Sequence, residues 1–546
     1  NTAIGSYAMF VNTTGYHNVA IGNYALDANT TANSNTALGY SALSSNTTAN
    51  GNVAVGKNAL FTNTTGGANT AVGFEAGYSN TTGTHNNSFG SSALKNCSTG
   101  NYNTAMGGQA AFYTTTGSHN TAIGYDALQD NTTGSDNVAL GYQTLDKNTT
   151  ANDNTAIGNY ALGANTTGTD NVGVGNSALG ANTTSSYNTA VGNRALPVNT
   201  AQLNTAVGSL CMYFNTTGTE NTAVGQASLY TNSTGDYNTA VGRYALRLNT
   251  TGTYNSALGW GALHSNTTAN SNTAIGNLTL YNNTTGTQNV AVGYNALNDN
   301  TTADDNTAVG YRSLSANTVG TRNTAVGKDA LLVSTTGSYN TAVGSLALVD
   351  NTTGAQNTAV GDVSLYDNTT GVNNTAVGHI ASYLGTTGSN NTAVGHRAGR
   401  ANSTGNDNVA MGHYALDNNT ASRNVGVGVS ALVAVTTGGE NTAMGEETAQ
   451  HLTTGTLNVA IGRQALNKQT TASNNTAIGA YAMRYNNNAT GCVAVGLEAL
   501  RGSSDGSPLS GANNTAVGQE ALKLNTTGYS NTAVGHEALD VNTTGN

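Results

Sequence analysis

The sequence predicts an all-β fold: a parallel β-solenoid (β-roll) of about 32 coils with a 17-residue period and essentially no helix. Three observations predict it. One pentapeptide family, seen twice in "NTAVGYRSLSANTVGTRNTAVG" at residues 306–327, recurs throughout the 546-residue chain; Asn306 to Asn323 is 17 residues, and so is Asn323 to Asn340. The residue closing the pentapeptide is Gly in every copy, from Gly5 to Gly535. No segment keeps the apolar period of a helix. Short strands between Gly- or Asn-bearing corners, at such a period, are what a solenoid requires: each repeat makes one circuit and stacks on the next in parallel register.

Repeats start at positions 1 to 188 in steps of 17, at 204 to 408, at 424 to 492, and at 514 and 531, so residues 1–546 form a single array of 32. The repeat reads N-T-A-V-G-x-x-A-L-x-x-N-T-T-G-x-x. Position one is Asn in 31 copies, among them Asn289, Asn306 and Asn323, with Cys492 the exception. Identical amides one rung apart can pass hydrogen bonds along the axis, so this column reads as a ladder. Positions two to four are short and partly β-branched, which suits a strand of about three or four residues. Position four is Val, Ile, Leu, Met or Phe throughout, as in Val292, Val309 and Val326. Position five, as in Gly5, Gly22, Gly293, Gly310 and Gly327, marks a corner where φ is positive or a second backbone comes close. Rungs roughly 4.8 Å apart then make a rod on the order of 150 Å long.

Positions two and four of such a strand face one way and position three the other. Position three is nevertheless small everywhere: Ala in 29 copies, otherwise Ser88, Gly173 and Gly426. One face is the coil interior. The small-residue face then needs something close against it, either another wall of the same coil or another chain, and a homotrimer would supply the latter.

The lapses fall at corners. The repeats at Asn188 and Asn408 each lose one residue in the N-T-T-G turn, at 199–203 and 419–423, and the repeat at Cys492 gains five within a stretch at about 502–513 that contains Pro508. The last reads as a protruding loop with a kink or bulge. Cys97, Cys211 and Cys492 occupy repeat positions twelve, eight and one, many rungs apart, too far to pair with one another.

Charged residues are 8% of the chain and the net charge is −10, too sparse and of the wrong sign for a nucleic-acid partner. No apolar run is long enough for a membrane span. Disorder does not keep an apolar residue at one phase through 32 copies.

Repeats such as "NTAIGNYALDANTTANSNTALG" resemble those of bacterial and phage tail-fibre-domain proteins and, more loosely, the "SVAIG" repeats in the heads of trimeric autotransporter adhesins. The resemblance covers the whole chain. It implies an extracellular, cell-surface or virion-borne fibre, with left-handed coils assembled as a homotrimer.

Candidate sites are few. His379, His396 and His413 share position six on three consecutive rungs, a column that a metal could bridge, at a variable position whose other occupants include Tyr, Asn, Lys, Ser and Trp260. Tyr125 with Tyr142, and Tyr294 with Tyr311, form aromatic pairs that could dock glycan or receptor. No calcium motif, nucleophile elbow or paired-acid cleft is present, so the expectation is no enzyme, no cofactor and no metal. The N-T-T turn is formally an N-glycosylation acceptor. Stacked threonines are also a feature of ice-binding solenoids, although adjacent Thr residues in an extended chain leave only one outward column. The function expected is a repetitive structural rod that self-associates as a homotrimer or filament, with an adhesin wall holding glycan or receptor as the alternative. Neither end shows an atypical capping repeat, which suggests an internal piece of a longer fibre chain.

Overall fold

A computed structural model of the chain describes residues 1–504 and 511–546. It comprises two units, Asn1–Ser271 and Asn272–Asn546. The first holds β1 (Thr2–Ile4) to β16 (Ser256–Leu258), the second β17 (Thr273–Ile275) to β32 (Thr532–Val534). There is one three-residue strand per repeat and no helix among the described residues. Within each unit, strands pair in parallel, position on position, with those of the preceding and following repeats, as Thr307 with Thr324 and Val309 with Val326. The Thr307 N–H donates forward to the Asn323 carbonyl and the Gly327 N–H donates back to the Val309 carbonyl, both at 2.8 Å. Each unit is therefore a parallel β-solenoid.

The interior is small. Between the terminal repeats, Ala at positions three and eight and Leu at position nine are buried, as are Ala20, Ala25 and Leu26. A Cβ at Gly173 would lie 3.3 Å from Leu162 Cγ, so the leucine of the preceding rung covers position three. A 17-residue circuit closes around one large side chain per rung, and alanine is what fits beside it at interior density. Of the two covers the sequence allows for the small-residue face, the coil itself supplies one: the leucine wall. The alanine face needs no second chain, and position four points outward.

The glycine corner has the expected form. Gly310 has φ +138°, and a Cβ there would overlap the carbonyl of Gly327 on the next rung. A second device carries no glycine signature. Positions seven, nine and seventeen hold ordinary residues in the left-handed region, as Arg312 (φ 49°), Leu314 (φ 50°) and Arg322 (φ 58°). Each donates its N–H between rungs: Arg312 back to Tyr294, Leu314 forward to Ala330, Arg322 back to Asp304. These bonds hold conformations that cost an L-residue about 1–2 kcal/mol each.

Where a residue is missing, at 199–203 and 419–423, the outward Thr of the turn is lost and the cross-coil bond survives. Asn188 Nδ2 still donates to the Ala201 carbonyl at 2.9 Å, and Asn408 Nδ2 to the Ala421 carbonyl at 2.8 Å. The kink or bulge expected near Pro508 lies outside the described residues, as do residues 505–510 of the stretch at 502–513.

Candidate functional site

Two columns of buried amides run through the coil. At position one, Asn306 Oδ1 accepts the Asn323 backbone N–H at 3.0 Å, while Asn306 Nδ2 donates across the coil to the Gly320 carbonyl at 3.0 Å. Asn289 does the same for Asn306 at 3.0 Å and donates to Ala303 at 2.8 Å. The partner that continues this column is thus chiefly the backbone. The amide-to-amide ladder is at position twelve: Asn300 Nδ2 donates to Asn283 Oδ1 at 2.8 Å, and Asn317 Nδ2 to Asn300 Oδ1 at 3.0 Å. In the sequence, position twelve opens the N-T-T-G turn, and its recurrence at one phase is the only mark of a ladder there. At three interruptions of this ladder the oxygen below is orphaned: Asn80, Asn317 and Asn368 have a buried Oδ1 without a partner beneath Cys97, Ser334 and Gly385.

The outward strand face is the most extensive surface with a single chemistry. Position two is Thr or Val apart from Asn87 and Ser256, and position four is always apolar, so the face carries no charge. Its apolar column stands open: Leu38 and Met106 are 44% exposed and Leu258 is 49% exposed. The backbone beneath is already paired rung to rung, which leaves apolar side-chain surface as the face's means of association.

Comparison with known family models and with curated proteins finds no match.

The histidine column stacks. His379 and His396 lie 5.4 Å apart centre to centre, and His396 and His413 5.1 Å. His379 and His396 are stacked and His396 and His413 tilted by 30°, and no group of three or more His, Cys, Asp or Glu able to hold a metal occurs among the described residues. His379 Nε2 is 3.6 Å from Asp362 Oδ2. Partial burial, then the neighbouring His413, His379 and Arg397, lower the His396 pKa from its ordinary value.

Tyr125 with Tyr142 and Tyr294 with Tyr311 stack at 6.0 and 5.6 Å. Further columns that the same 17-residue spacing would have revealed include His85–Tyr102–His119, at 4.9 and 5.3 Å. The three thiols are buried, and burial pushes the pKa of Cys97 up to about 11 and that of Cys211 up to about 12.

In the N-T-T turn the Asn is inside: Asn63 is fully buried, its Nδ2 donating to Asn46 Oδ1 and to the Gly66 carbonyl. The first Thr is bonded to the next rung, as Thr64 Oγ1 to the Thr81 carbonyl at 3.0 Å, and the second points out. The pair does not make two parallel outward columns.

Proposed function

We propose that this chain is a non-catalytic structural element of an extracellular, cell-surface or virion fibre, and that its coils associate as a homotrimer through the outward strand face. The observation that carries the proposal is the uncharged apolar column at position four, in which Leu38, Met106, Leu140 and Leu258 are each more than 40% exposed. At roughly 60 Å² per rung, sixteen rungs carry on the order of 1,000 Å², above the ~800 Å² per partner of a standard protein interface and above the few hundred Å² that soluble monomers ordinarily leave contiguous. Coils of equal rise can set such columns side by side in register. The number three comes from the resemblance of the repeats to tail-fibre-domain proteins and trimeric adhesin heads.

The test is sedimentation equilibrium of the full chain and of a variant carrying Leu38→Lys, Met106→Lys, Leu140→Lys and Leu258→Lys. Three chains per particle for the parent and one for the variant, both with unchanged circular dichroism, is the expected result. A monomeric parent would overturn the association.

A further inference from the structure

Each rung is filled by one large interior side chain, and position nine supplies it: Leu or Met in every repeat except at Gly77, Ala111, Ser382, Gly399 and Ala449. Three of these stand alone between leucine rungs, Gly77 and Ala111 on either side of Leu94, and Ala449 between Leu432 and Leu466. Two of the three are also filled from elsewhere. A Cβ at Gly77 would lie 3.0 Å from Leu60 Cδ2, so the leucine below reaches into the space. Beside Ala449, position twelve is a buried leucine, Leu452, in place of Asn. Ser382 and Gly399 differ, because they fall on consecutive rungs of the second unit. Beyond its chain neighbours, a Cβ at Gly399 would have only the methyls of Ala393 and Ala410 within 4 Å, at 3.4 and 3.7 Å.

Further losses fall on the same rungs. A cavity of about 10 Å³ remains between Ser382, Gly399, Ala393, Ala410 and Leu416. Position twelve of the Ser382 rung is Gly385, which cuts the amide ladder, and the oxygens of the amides on both sides, Asn368 Oδ1 and Asn402 Oδ1, are buried without a partner. The rung that follows Gly399, from Asn408, is the one-residue-short repeat with its altered turn at 419–423. The backbone is intact throughout: the Ser382 N–H donates to the Ala398 carbonyl at 2.9 Å and the Gly399 N–H to the Ala415 carbonyl at 2.8 Å. What these rungs lack is interior filling, not rung-to-rung bonding.

We infer that residues 374–423 are a yield segment, at which the second unit opens first while the rungs on either side stay closed. Where stability is a sum of rung terms and nearest-neighbour terms, a deficit on consecutive rungs is not averaged over the coil. Each leucine withheld from a packed interior removes its burial and leaves part of its volume empty, and an amide oxygen buried without a donor destabilises the same place. Opening here leaves Leu365 and Leu432 packed in the rungs that flank the segment. The flanking strands, Thr358–Val360 below and Val425–Val427 above, keep their own stacks and so template reclosure. The inference is independent of association through the strand face.

The experiment is hydrogen exchange on the full chain at neutral pH, with each amide corrected for its intrinsic rate. The N–H groups of Ser382, Thr392, Gly399 and Val409 are compared with those of Thr324, Leu331, Thr341 and Leu348, which make the equivalent bonds on leucine-bearing rungs of the same unit. Protection is expected to be lower by about tenfold or more in the first set. Ser382→Leu with Gly385→Asn and Gly399→Leu restores the repeat's own residues; Gly399 has φ 59°, and Leu314 holds the same left-handed conformation at φ 50°. In that variant the two sets should agree within about threefold. Should it fail to fold, the transplant Leu331→Ser with Ser334→Gly and Leu348→Gly decides, and it should make a second fast segment that includes the Thr324 and Thr341 amides. Equal protection of the two sets in the parent, a folded restored variant still fast at Thr392 and Val409, or a transplant that leaves Thr324 and Thr341 as slow as before would each overturn the assignment.

Discussion

At the scale of single residues, stability is set by whether each buried amide finds its neighbour. Cys97 interrupts the position-twelve ladder, with its Sγ 3.6 Å from the Gly100 carbonyl and Asn80 Oδ1 orphaned beneath it. Cys97→Asn restores the repeat's own residue and should stabilise the chain by about 0.5–1.5 kcal/mol, the net value of a buried hydrogen bond. Urea denaturation read by circular dichroism checks this; an unchanged midpoint would mean that the orphaned oxygen costs nothing. The histidine stack makes a second residue-scale prediction. The His396 pKa is lowered in the fold, so below 6.5 the unfolded chain takes up a proton that the folded chain resists. Stability is complete above that value and is lost as pH falls through the folded pKa. Amide protection at residues 379–413, corrected for the intrinsic exchange rate at each pH, should fall between pH 7 and pH 5, and His396→Gln should remove the effect.

At the scale of the element, Gly310→Val forces a β-branched residue into positive φ and against the next rung's carbonyl. The expected loss is about 3–5 kcal/mol. The control must be chosen with care, because Arg312 is not a free surface residue: its Nε is 2.8 Å from Asp329 Oδ1, on a side chain only 5% exposed. Arg463, 58% exposed beside an equally open Glu446, is the better comparison, and Arg463→Ala should change stability by less than about 0.5 kcal/mol. Equal melting shifts for Gly310→Val and Arg463→Ala would sink the corner assignment.

The strand, the period and the glycine corner were legible because each depends on a residue type at fixed phase. Which strand face turns inward was not. A three-residue strand such as Thr307–Val309 states parity only, and hydrophobicity would place Val309 inside, whereas the coil's narrow bore selects Ala308. The left-handed positions were hidden because Leu and Arg stand where Gly or Asn would have marked them.

At the scale of the whole molecule, within each unit every strand contacts only its neighbours in sequence. Stability then approximates a sum of rung terms and nearest-neighbour terms, so damage stays local. Hydrogen exchange on the full-chain Gly310→Val variant should show lost protection confined to the rungs around residues 289–340, with the remaining rungs of that unit still slow. Uniform loss across the unit would show long-range cooperativity instead.

The buried Asn of the N-T-T turn has a consequence for how this chain can be made. Once the coil closes, the nitrogen that a sugar transferase would modify faces inward and both its hydrogens are engaged. A eukaryotic translocon presents the nascent chain to that enzyme before any coil exists, and an oligosaccharide attached at Asn63 or Asn300 would occupy the bore where Leu60 or Leu297 must pack. Export by that route should yield heavily modified, unfolded polypeptide, whereas synthesis in a bacterial cytosol should yield folded chains; gel mass before and after glycosidase treatment distinguishes the two.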